Sequence, residues 1–95
     1  MSNVIDAAVV ALQAKLGEGF DGSAKFHIED EGSIVVDGAG VRAGDDDTDV
    51  TLSADRDTFE AMMGGDLDPS SAFMQGRLRI DGDMGTAMKL GAALS

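Results

Sequence analysis

The chain has 95 residues and a formal net charge of −11, from 18 acidic against 7 basic side chains, and it contains no cysteine. That balance repels phosphates and anionic membrane surfaces, which argues against nucleic-acid binding and membrane adsorption, and stable membrane insertion is not expected because no apolar run is long enough. Without cysteine, disulfides and thiolate metal sites are excluded.

The length fits one domain, residues 1–95, with a modest core: at this size roughly 60–65% of the unfolded surface becomes buried. No apolar run approaches the ~20 residues of a membrane span, and no basic-then-apolar leader opens the chain. The last three residues, Ala93-Leu94-Ser95, are not a peroxisomal signal. These features predict a soluble cytoplasmic protein. There is no Trp or Tyr, so six methionines and four phenylalanines supply the bulky apolar volume. Met62, Met63, Met74, Met84 and Met88 all fall in the last third. Methionine suits irregular or adaptable apolar surfaces, and it also fills gaps in ordinary cores.

In chain order, Asn3 can cap a first helix in which Ile5, Val9, Leu12 and Leu16 recur at helical spacing. Gly17 and Gly19 end that helix, and Phe20 anchors the chain on its return to the core. Residues 24–30 alternate, with Ala24, Phe26 and Ile28 inward and Lys25, His27 and Glu29 outward. Ser33 to Asp37 and Val41 to Ala43 continue as strands across tight turns, which reads as an antiparallel meander. After the acidic loop Asp45 to Asp49, Val50 to Ser53 forms a fourth strand.

Asp55 then caps a helix carrying Phe59, Met62 and Met63, stopped by Gly64-Gly65. Asp68-Pro69 starts another, because proline at the first helical position follows a capping acid. Gly76 ends it. Arg77 to Asp81 alternates as a half-buried strand, Gly82 makes a corner, and Asp83 caps the closing helix. Met84, Ala87, Met88, Leu90, Gly91, Ala92, Ala93 and Leu94 cover more than one stripe of that helix. A helix apolar on two faces must bury the second. It faces either a lipid-sized cavity, or a small core or dimer partner. Segregated strands and helices of this kind define an α+β domain.

Motifs for other chemistry fail on context. Gly38-Ala39-Gly40-Val41-Arg42-Ala43 has the letters of a dinucleotide fingerprint, but a strand and an acidic loop follow where a helix N-terminus is needed. Asp45, Asp47 and Asp49 fall at alternate calcium-ligand positions, yet the turn glycine is missing and Arg56 stands where the bidentate glutamate belongs. His27 is the single histidine and lies on the polar face of its strand. No activated nucleophile stands in a recognisable setting, so the sequence predicts no catalysis, no metal and no cofactor.

From Gly65 to Leu90 the chain resembles the sterol carrier protein-2 family. The matching residues are Gly65, Leu67, Asp68 and Pro69, then Ala72, Phe73 and Gly76, then the strand Arg77-Leu78-Arg79-Ile80, the corner Gly82-Asp83, and Ala87, Lys89 and Leu90. The strand Asp49-Val50-Thr51-Leu52 and the order of elements also suit the family. The chain departs from it at Asp66, where many members carry a basic residue, and at Ile34-Val35-Val36, where many carry a tryptophan.

The resemblance implies a five-stranded, mostly antiparallel sheet covered on one face by helices. It also implies an apolar tunnel between the layers for a sterol, fatty acid, fatty acyl-CoA or other lipid. On this reading Phe59, Met62, Met63, Phe73, Met74, Met84, Met88 and Leu94 line the tunnel, and Leu78 and Ile80 form its floor. The competing expectation is an interaction domain whose apolar groove docks a protein partner or a second copy in a homodimer.

Overall fold

The structure is a computed structural model that describes residues 3–17 and 19–94, with the backbone alone at residue 3. The expected Asn3 cap therefore lies outside the described side chains. The elements are α1 (Asn3–Leu16), β1 (Ala24–Ile28), β2 (Gly32–Asp37), β3 (Gly40–Ala43), β4 (Val50–Ala54), α2 (Arg56–Met63), α3 (Pro69–Met74), β5 (Arg79–Gly82) and α4 (Met84–Leu94).

The five strands form one sheet in the order β3-β2-β1-β4-β5. Every neighbouring pair is antiparallel except β1 and β4, which run parallel with Phe26 opposite Leu52. The sheet is thus mostly antiparallel, as expected, in an α+β domain. Alternation assigns its two faces. Ala24, Phe26 and Ile28 share the inner face with Ile34, Val36, Val41, Val50, Leu52 and Ala54, all buried beneath the helices. The outer face carries Lys25, His27, Arg42 and Arg79. Val35 is the exception there: it is buried on the outer face between its ladder partners Lys25 and Arg42.

α1 packs on β2 and β3, and α4 packs on β1, β4 and β5. The buried stripe of α1 is Ile5, Ala8 and Leu12, while Val10 is 65% exposed and Val9 and Leu16 are half-buried. Phe59 of α2 meets Phe26 edge-to-face with ring centroids 5.5 Å apart, and this pair ties the helical layer to the central strand.

Two strands are shorter than their alternation predicts, for a hydrogen-bonding reason. β1 stops at Ile28 because the Glu31 amide turns back to the Ile28 carbonyl and Asp30 adopts φ 66°, a left-handed conformation that aspartate tolerates. β5 begins at Arg79 because the Arg77 and Leu78 amides both donate to the Ala72 carbonyl, closing α3. Those amides are then unavailable to the sheet.

Candidate functional site

The closing segment builds the site. Asp83 caps α4: its carboxylate accepts from the Gly85 and Thr86 amides and from the Thr86 hydroxyl, the last at 2.5 Å. These bonds hold its carboxyl below the ordinary carboxylate range, with the Thr86 side chain as the main cause. The cap fixes where α4 begins and hence which side chains face the sheet.

Thr86, Ala87, Leu90 and Leu94 are buried against the core. Met84, Met88, Gly91 and Ala92 lie on a second side, where the helix meets not the sheet but a cleft. The opposite wall is α3, through Pro69, Ser70, Phe73 and Met74. Leu52, Leu78 and Ile80 form the floor. The enclosed space is about 330 Å³, at the small end of the range that takes small molecules. The cleft is open on its outer side, since Met74 and Met88 are 85% and 73% exposed.

The eight residues expected to line a tunnel divide in the structure. Phe73, Met74, Met84 and Met88 border the cleft together. Phe59, Met62 and Leu94 are packed into the core and do not border it. Met63, half-buried, borders a separate space of about 180 Å³ between α1 and α2. Leu52, Asp68, Pro69, Ser70, Ala87, Gly91 and Ala92 also border the cleft and were not among the expected lining residues. Gly91 and Ala92 were legible as part of a second apolar face, but Leu52 carries no mark that separates it from its inner-face neighbours.

Asp68 also differs from expectation. It precedes Pro69 in an extended conformation, as a capping residue does, but its side chain makes no cap hydrogen bond. Proline removes the N1 amide but not the N2 and N3 donors that a cap would take. Asp68 is nonetheless one of the residues that border the cleft. Asp55, by contrast, does cap α2, accepting from the Thr58 amide at 2.7 Å.

The remaining chemical groups lie away from the cleft. His27 Nδ1 and the Ser33 hydroxyl are 3.1 Å apart on the exposed outer face of the sheet. Lys25 pairs with Asp45 at 2.9 Å, and Arg42 bridges Asp37 and Asp46 at 3.0 Å each. The cations therefore lower the carboxyls of Asp37 and Asp45, and Arg42 is raised in turn. Two of the acidic loop's four carboxylates, Asp45 and Asp46, are thus ion-paired. Residues 38–43 form a hairpin turn and strand β3, with no helix N-terminus. Among the described residues no group of three or more ligands could hold a metal, and no helix is long and apolar enough to cross a membrane.

Comparison with known proteins agrees with this architecture. The crystal structure of sterol carrier protein 2 like 2 from Aedes aegypti superimposes with a TM-score of 0.78 at 21% identity, covering 94% of each chain. The solution structure of the palmitated protein of that name, also from Aedes aegypti, gives a TM-score of 0.70 at 25% identity, covering 99% of this chain and 95% of that one. Among curated proteins, the hydroxysteroid dehydrogenase-like protein 2 of Danio rerio is 55% identical over 42 residues. That match spans 44% of this chain and only 10% of the relative, so the likeness concerns one part of a much longer protein. Residues 8–95 match the SCP-2 sterol transfer family. Because that match runs from the first helix through both walls of the cleft, the chain belongs to the SCP-2 sterol transfer family.

Proposed function

We propose that this chain is a non-catalytic lipid binder that holds the apolar part of a sterol, fatty acid, fatty acyl-CoA or related lipid in the cleft between α3 and α4. One observation carries the reading. Five large hydrophobic side chains are exposed among the described residues, and four of them, Phe73, Met74, Met84 and Met88, border this one cleft. Exposed apolar surface gathered around a concavity marks a binding site rather than a random surface. The family and the palmitated relative support a lipid as the occupant. Burying a few hundred Å² of lipid at ~25 cal/mol per Å² contributes several kcal/mol, sufficient for micromolar affinity after the entropic cost of association.

The placement of the carboxyls whose titration is perturbed supports the non-catalytic reading. The carboxyls held low, Asp37, Asp45, Asp55 and Asp83, serve ion pairs, turns and caps, and none borders the cleft.

The test is mass spectrometry of lipid carried through gentle purification, together with titration of a fluorescent fatty-acyl probe. Gly91→Leu should fill the cleft, because an added Cβ points towards Pro69 at 3.9 Å with no closer contact. Expected is a folded variant that no longer binds the probe. Unchanged binding in Gly91→Leu, or a stable dimer of the parent that ignores lipid, would refute the proposal.

A further inference from the structure

The lining of the proposed lipid site is uneven in polarity. Its lining is apolar except at one edge, where Asp68 and Ser70 begin α3. Asp68 is the one charged residue in that lining, and its carboxylate is not consumed as a helix cap. No cation lies in the lining to offset it. Lys89, although on α4, reaches away to Asp21 at 3.6 Å.

A lipid seated on Leu52, Leu78 and Ile80 must keep its polar end out of the apolar floor, because an unpaired polar group there costs stability. Within the lining, the Asp68–Ser70 edge is the part able to receive that polar end. A carboxylate only accepts hydrogen bonds. Its favourable partner must donate one, and a second carboxylate beside it is repelled.

We infer that the cleft prefers a neutral lipid whose head group donates a hydrogen bond, such as a fatty alcohol, over an ionised fatty acid of the same chain length. The inference rests on the lipid-binding reading above and names the ligand class within it. Two like unit charges a few Å apart near a protein surface weaken binding by about tenfold at low ionic strength, and salt screens the effect.

The experiment displaces a neutral fluorescent lipid probe with dodecanol or with laurate, near neutral pH and at low salt. It uses the parent, Asp68→Asn and Asp68→Lys. In the parent, dodecanol should compete about tenfold better than laurate, and added salt should narrow the gap. Asp68→Asn should remove most of the gap, and Asp68→Lys should invert it. The Asp68→Asn comparison separates charge from the intrinsic difference in lipid hydrophobicity. Equal competition in the parent, or a gap unchanged in Asp68→Asn, would overturn the head-group inference while leaving lipid binding intact. Failure of the neutral probe itself to bind would instead remove the lipid-binding reading and this inference with it. Circular dichroism checks that each variant is folded; should Asp68→Lys not fold, Asp68→Asn alone decides.

Discussion

Met88 and Leu90 stand two residues apart on α4 and should respond very differently to truncation. Met88 is 73% exposed at the cleft, so only about a quarter of its surface is buried. Full burial of such a side chain contributes ~1.5–3 kcal/mol, which scales to about 0.5 kcal/mol here. Alanine's better helix propensity offsets part of that. Leu90 is 0% exposed and sits in the core cluster, so Leu90→Ala should cost ~2–5 kcal/mol through lost contacts and a cavity. Urea denaturation of the parent and both variants measures the contrast, with binding of a fluorescent fatty-acyl probe followed in parallel. Met88→Ala should stay near parental stability and bind the probe more weakly. Met88→Trp should also fold, since the added ring meets open cleft rather than packed core, and it should exclude the probe. A Met88→Ala loss above ~2 kcal/mol would show that Met88 is a core residue. The assignment of α4's two faces would then be wrong.

Gly82 has φ 117°, and an added Cβ would lie 2.5 Å from the Asp49 carbonyl oxygen. Gly82→Ala should therefore lower stability by at least ~2 kcal/mol in a denaturant titration. Asp83→Ala should lower the melting temperature by removing the α4 cap, whereas Asp68→Ala should change stability by no more than ~0.5 kcal/mol because no cap bond is lost. Equal responses of these two variants would contradict the observed difference in capping. Asp55 and Asp83 have carboxyls held below the ordinary 3.8 by their threonine partners. Their contribution is fully present above the unfolded-state value and lost as pH falls through the lower folded-state value. Stability should thus lose this contribution only below about pH 4, and an Asp55→Asn, Asp83→Asn double variant should show a shallower acid decline.

Much of the fold was legible because local periodicity and capping chemistry agree. The alternation of Ala24, Phe26 and Ile28, the Asp55 cap and the Gly82-Asp83 corner each produced the expected element. The strand ends shifted where backbone hydrogen bonds were claimed by turns. Nothing in the Arg77-Leu78 alternation reveals that both amides close α3 onto Ala72. The parallel pairing of β4 with β1 was likewise not readable, because the acidic loop between β3 and β4 carries no mark of a crossover.

The candidate site was half legible for a related reason. Composition gathers the methionines into the last third, and the breadth of apolar residues on α4 announces two faces that need cover. Periodicity states which residues share a face. It does not state which face meets the sheet, because Met62 and Met88 are equally apolar as letters. Only the tertiary packing decided that Met62 is 2% exposed in the core and Met88 73% exposed at the cleft. The same holds for Asp68, whose sequence position is that of a cap. Its backbone has the capping conformation, yet its side chain makes no cap hydrogen bond. The sequence by itself determined the elements, their order and the family likeness, since these rest on interactions between near neighbours in the chain. The division between core and cleft was decided by contacts between α3, α4 and the sheet, which no local pattern encodes.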